Sequence, residues 1–247
     1  MSKSDNNLKE ISNLTLTSIF LRPTEAYRNG GLDSICRGLL VDPGTNFDPH
    51  VTDEIQNHLF ENNGGGITET HRFSLSAINI QRGRDHGIPS YNIFRRLVKL
   101  KEAKIFKDMS EIPIEIRRVL RKIYKNVNDI DAFTGGLSEL PVDQDAILGP
   151  TFAIILGEQF RDLKFGDRFY FENGHDKVTR FKLNQLNEIR KGTMARIMCD
   201  NLDLVSVQKD AFRPIGTDNP LVSCKSLPRV LLSKWKNEKL PFTDQFK

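Results

Sequence analysis

Apolar residues recur along most of this chain at the three-to-four-residue spacing of helices. In VTDEIQNHLFE, Ile55, Leu59 and Phe60 fall on one face, Thr52 is a candidate N-cap, and Asp53 and Glu54 suit a first turn. NNGGG at 62–66 ends that element. As a phosphate loop it lacks both a preceding strand and a following Lys-Ser/Thr. Ser90 predicts the start of a long helix, YNIFRRLVKLKEAKIF, with Phe94, Leu97 and Val98 at helical spacing and Ile93 beside them. Pro113 suits the first turn of IPIEIRRVLRKIY, whose stripe is Ile116, Leu120, Ile123 and Tyr124. Another helix starts near Pro150, runs through TFAIILGEQFRDL and closes at Gly166. Its first half is apolar all round and is expected to lie deep in the core. DRFYFEN is the one strand-like stretch. Gly192 stops a helix and Thr193 caps the next, MARIMCDN. The tail is expected to fold back through Leu231, Leu232 and Trp235. No repeat or long linker divides the chain, which predicts one mainly α domain.

Composition narrows the function classes. At 247 residues, 38% apolar and 28% charged, the chain can bury a real core and reads as globular. No apolar run is long enough to span a bilayer. A net charge of +4 tolerates acidic partners without demanding nucleic acid. Its clusters, RRLVKLKEAK and RRVLRKIYK, read as solvated helix faces. Three cysteines, none in CxxC spacing, exclude a disulfide-rich scaffold and a zinc finger. The polar start, MSKSDNNLKEISNL, lacks the apolar core of a signal peptide.

Candidate chemistry concentrates in SAINIQRGRDHGIPSYNIFRRLVKL. An arginine directly after an apolar stretch is suited to gripping a carboxylate through its planar fork of donors, and the two so placed are Arg84 and Arg82. Asn79 shares a helical face with Arg82, and its amide carbonyl can accept from a buried donor such as an imidazole N–H. The structural alternative is that Arg84 pairs with Asp85, His86 stacks in the turn, and the segment locks a helix. Glu54 and His58 have a spacing that can share a metal, but one such pair on an exposed helix makes no site. His50, His71 and His175 have no evident partners, and no Ser or Cys comes with an interpretable base.

LSAINIQRGRDHGIPSYNIFRR closely resembles the signature of the animal haem peroxidases. NGGLDSICRGLL, VTDEIQNHLFE, DIDAFTGGLSE, GPTFAIILGEQFRDLKFGDRFYFEN and MARIMCDN resemble successive segments of that family, in its order. The resemblance implies the C-terminal portion of a mainly α haem peroxidase fold with a short β-hairpin. It spans residues 14–247, behind a polar N-terminal stub at 1–13. It implies haem as cofactor, with hydrogen peroxide and a small oxidisable donor as substrates. Asn79 matches the asparagine that accepts a hydrogen bond from the proximal histidine, and Arg82 the arginine that pairs with a haem propionate. Arg84, Asp85 and His86 match a stretch that looks mainly structural. Cys199 and Cys224 match a family disulfide, which would close a loop worth roughly 3 kcal/mol. Val98 and Ile154 stand where myeloperoxidase has a bonded cysteine pair, leaving Cys36 free. The disulfide and the sequon at Asn13 imply an oxidising, extracellular setting.

The family's Arg-x-x-His-Ser/Thr motif, which carries the proximal histidine, does not occur here; its position would fall just before Met1. The distal histidine, the catalytic arginine, the calcium loop and the acids that esterify haem would lie further upstream. The chain by itself is therefore expected to be incomplete and inactive, with no catalytic or metal-ligating residue of its own. It is also expected to expose apolar surface meant for the missing N-terminal part of the domain. Halide, tyrosine and other phenols are equally compatible as donor. The rival reading is a non-enzymatic scaffold that binds a partner or an acidic polymer through the basic faces around Arg117, Arg118 and Arg121.

Overall fold

The computed structural model describes residues 2–21, 23–61 and 72–236, and it is mainly helical with two small antiparallel sheets. The chain opens with β1 (Ser2–Ser4), β2 (Glu10–Asn13), α1 (Leu16–Ile19), α2 (Thr24–Tyr27) and α3 (Gly31–Val41). Then come α4 (Asp53–Gln56), α5 (Leu75–Asp85), α6 (Tyr91–Leu97), α7 (Ile114–Ile123) and α8 (Ala132–Leu137). The last part holds α9 (Pro150–Gly166), α10 (Leu183–Ile189), α11 (Met194–Asn201), β3 (Ser206–Gln208) and β4 (Leu221–Ser223). These elements form two compact units. One comprises residues 1–14, 23–43 and 163–247, the other 15–22 and 44–162.

In the first unit β1 and β2 pair as a hairpin within the first thirteen residues, and α3 lies against β1. Gly38 permits that approach, because a Cβ there would sit 1.9 Å from the Ser2 carbonyl oxygen. Asp42 accepts from the Ser2 amide and hydroxyl, both at 2.7 Å. Arg37 donates to the carbonyls of Ser4 and Asp203. Leu8, Leu40, Ala195, Leu204, Val207, Cys224 and Leu227 form the core. Cys199 and Cys224 are bonded, with Cα atoms 5.5 Å apart, while Cys36 is free and half-buried.

The second unit packs around Tyr91, Ala103, Met109, Ile112, Leu120, Val127 and Ile130. The predicted helix from Ser90 is much shorter than its pattern. Lys99 takes a left-handed φ of 64°, and the Leu100 amide turns back to the Arg95 carbonyl at 2.8 Å. Its inner face also differs. Tyr91, Asn92, Arg95 and Val98 are buried, whereas Leu97 is 65% exposed. Buried polar residues are stable there because each has partners. Asn92 exchanges hydrogen bonds with the Ala103 backbone, and Arg95 donates to Glu111, Tyr91 and the Lys101 carbonyl.

Other expectations are corrected in the same way. The element at 51–61 is helical for one turn only; Leu59 then pairs with Phe73 through both backbone bonds, and Phe60 is left-handed and exposed. NNGGG and His71 lie outside the described residues. On α7, Ile123 points outward while Ile116, Leu120 and Tyr124 join the core. DRFYFEN forms turns instead of a strand. The Asp167 carboxylate takes the Phe169 amide and its carbonyl takes the Tyr170 amide, so the local bonds outcompete a ladder. The tail docks through Trp235, edge-on to Phe181, and through the Leu231 amide on Glu188, while the side chains of Leu231 and Leu232 are exposed. The first half of α9 is not deeply buried. Thr151 alone is fully covered, and Ile154, Leu156, Phe160, Leu163 and Phe165 are exposed.

Candidate functional site

The α5 helix begins where Ser74 caps it, its hydroxyl accepting from the Ala77 amide. One face then carries Asn79, Arg82, Gly83 and His86, at i, i+3, i+4 and i+7. All four line a cavity of about 510 Å³. Ile80, Ile88, Phe94, Phe133, Phe152 and Ile155 supply its apolar wall, and Asp131 and Thr151 its polar margin.

The wall depends on two adjacent glycines in α8. A Cβ at Gly135 would lie 2.1 Å from the Tyr91 ring, and one at Gly136 would lie 2.3 Å from the Phe152 ring. With no side chains at these two positions, α8 can lie directly against the Tyr91 and Phe152 rings. Behind the wall, Glu139 is buried and accepts from the Tyr91 hydroxyl at 2.6 Å, the Thr151 hydroxyl at 2.6 Å and the Thr151 amide at 2.8 Å. A carboxylate at the start of α9 suits the positive end of the helix dipole and uses one of its orphan amides. Burial, helped by the Glu139 carboxylate, pushes the Tyr91 phenol well above its ordinary range.

The charged residues divide in two. Arg84 reaches Asp131 with paired bonds of 2.8 and 2.7 Å, and Tyr124 adds a third at 2.8 Å. Those bonds, the Arg84 ones foremost, hold the Asp131 carboxyl below the usual carboxylate range against the cost of burial. The sequence-based alternative of an Arg84–Asp85 pair is thus replaced by a bond to the start of α8. Arg82 has only a loose 3.9 Å contact with Asp85, and its side chain is 59% exposed. Among the described residues the Asn79 amide has no hydrogen-bond partner. One helical turn therefore presents a loosely held donor fork and a side-chain amide without a hydrogen-bond partner to the same cavity.

Elsewhere, Glu54 turns to the Thr17 backbone and hydroxyl. His58 lies between Glu61 and Asp53, so the Glu54–His58 spacing forms no metal pair. The Glu61 hydrogen bond raises the His58 imidazole above its ordinary value. Among the described residues no group of three or more His, Cys, Asp or Glu side chains could hold a metal ion. None of their helices is long and apolar enough to cross a membrane. Sequence reasoning missed Asp131, Phe133 and Phe152 as site-forming residues. The available signal was the Gly135–Gly136 pair beside an aspartate and a phenylalanine.

A profile of the family described as animal haem peroxidase matches residues 1–212. The chain belongs to the animal haem peroxidases. It is 38% identical to Peroxidase of Drosophila melanogaster over 232 residues, which is 93% of this chain and 33% of the fly protein. It is 36% identical to Peroxidase-like protein 3 of Lottia gigantea, over 80% of this chain and 63% of that protein. Peroxidase A from Dictyostelium discoideum superposes with a TM-score of 0.71 at 29% identity, over 86% of this chain and 39% of that one. The helical fold is that of the family. The chain spans about a third of the fly protein and less than two thirds of the mollusc one.

The cavity's chemistry fits haem. A site of this size lies within the roughly 300–1,000 Å³ range of cofactor pockets. Aromatic and branched side chains suit the flat macrocycle, while Arg82 at the margin suits a propionate.

Proposed function

We propose that the protein to which this chain corresponds is a secreted, haem-dependent peroxidase that reduces hydrogen peroxide while oxidising a small donor. The observation that carries this reading is the pairing of Asn79 and Arg82 on one face of α5, both lining an aromatic cavity, with Arg82 held only by a loose contact to Asp85. Bound haem would supply the iron at which peroxide is reduced.

This chain's own residues would hold and tune that group. Arg82 would anchor a propionate by charge-assisted hydrogen bonds. The Asn79 carbonyl oxygen would accept the outer N–H of the imidazole that ligates the iron, fixing its ring and its donor strength. Phe94, Phe133 and Phe152 would keep water from the macrocycle face. The ligating histidine, the distal acid–base pair and calcium would be supplied by the part of the domain that the family places N-terminal to this one. Peroxide turnover belongs to that complete domain. The Cys199–Cys224 bond supports an oxidising compartment.

A haem titration of the purified chain, followed at the Soret band, tests this. Saturable binding is expected, weakened about tenfold or more by Arg82→Ala, as befits a charge-assisted hydrogen bond. Asn79→Ala should leave that affinity nearly unchanged in this chain and alter the spectrum only in the complete domain. An absence of saturable binding, in both this chain and the complete protein, would defeat the proposal.

A further inference from the structure

A second depression, on the opposite chemical footing, lies within the same unit. It has a volume of about 440 Å³ and is lined by Lys104, Lys107, Arg121 and Lys125, with Ile105, Phe106, Asn126 and Val127. Two segments distant in sequence converge there: the 3-10 turn Phe106–Asp108 with its approach, and the end of α7 with the residues after it. Basic residues in a helix's last turn are favourable by themselves, and that accounts for Arg121. It does not account for Lys104 and Lys107, which come from another segment.

All four cations are exposed, and none has an ion pair among the described residues. The neighbouring carboxylates are engaged elsewhere than on these side chains' heads: Glu102 lies 3.9 Å from Arg96, and Asp108 and Asp129 accept from backbone amides. Asp108 takes those of Lys104 and Ile105, at 2.8 and 3.1 Å, and Asp129 takes that of Asn126 at 3.0 Å. The concavity thus holds four cations without an ion pair among the described residues, beside Ile105, Phe106 and Val127. Arg117, by contrast, is committed to the Lys107 carbonyl at 2.8 Å, which fixes the turn that presents two of the lysines.

We propose that this groove binds a sulfated polysaccharide. Lysine and arginine heads spaced along a groove match sulfate esters spaced along a chain. The Cys199–Cys224 bond marks a compartment in which such glycans, and few nucleic acids, are met. Phe106, the groove's one ring, is packed against the core, so bases would find no stacking platform.

The test is calorimetric titration of the full chain with a size-defined heparin oligosaccharide at two salt concentrations. The groove variant is Lys104→Ala/Lys107→Ala/Arg121→Ala/Lys125→Ala. The charge-matched control is Lys9→Ala/Lys177→Ala/Lys209→Ala/Lys225→Ala, at exposed positions outside the groove. The groove variant should lose about tenfold or more in affinity, the sum of several exposed charge contacts, and show a shallower salt dependence. The control should bind like the parent. If the fourfold variant fails to fold, Lys107→Ala/Lys125→Ala at two exposed side chains takes its place. Equal losses in groove and control variants would overturn the site. Equally tight binding of a single-stranded DNA oligonucleotide through the same residues would overturn the choice of ligand.

Discussion

Asp131 gathers Arg84, Tyr124 and the start of α8 onto one carboxylate beside the cavity. Its folded pKa is depressed, so its contribution is fully present above the unfolded value of about 3.9 and is lost as pH falls through the lower folded value. Asp131→Asn should lower stability at neutral pH by about 1 kcal/mol, the scale of a hydrogen bond to a half-covered group. The gap in Tm from the parent should hold from neutral down to about pH 5 and close progressively below about pH 4. A gap that widened in acid would refute this sign. The residue scale also shows what a sequence hides. Asn79 and Arg82 are legible together because i and i+3 neighbours share a face whatever the tertiary context. Arg84 and Asp131 are 47 positions apart, and no local pattern joins them. Arg95 reads as one of a basic pair on a solvated face, yet its side chain is 1% exposed and bonded to Glu111. Periodicity counts a charge as outside; only the partner's location says otherwise.

Among the elements, α8 sets the cavity's shape. Gly136→Ala would drive a methyl into the Phe152 ring, and relieving it means moving that ring or tilting the helix. Overpacking of this kind costs about 1–3 kcal/mol. Haem affinity should fall with Gly136→Ala. In Gly135→Ala, where the methyl meets Tyr91 in the core, stability should fall first. Parallel thermal melts and Soret titrations of the two variants separate these outcomes, and identical behaviour would count against the distinct roles. Helix positions were legible where caps and stops are local, as at Thr193, whose hydroxyl takes the Arg196 amide, and at Gly166. Element lengths were not. The α6 pattern runs on past Val98, but the Lys99 backbone turns left-handed where the Arg95 network needs the chain to return. DRFYFEN has strand-forming residues but pairs with no strand among the described residues, and the Asp167 turn takes its amides.

For the molecule as a whole, α9 is the conspicuous surface. Leu156, Phe160 and Leu163 recur at i, i+4 and i+7, and all are exposed. An uncovered stripe of this kind promotes association. Sedimentation of this chain should therefore show concentration-dependent self-association, reduced by Phe160→Ser/Leu163→Ser. A monomer at all concentrations would contradict it. The disulfide has a different consequence. Its two half-cystines are 25 positions apart, and the intervening segment presents an exposed Lys209 as its trypsin site, Arg213 being protected by the proline that follows it. A trypsin nick in that segment would cut the backbone without parting the pieces. The clipped protein should migrate as one band on a nonreducing gel and resolve into two after thiol treatment. Proteolytic wear at this spot would then go unnoticed until the surroundings became reducing.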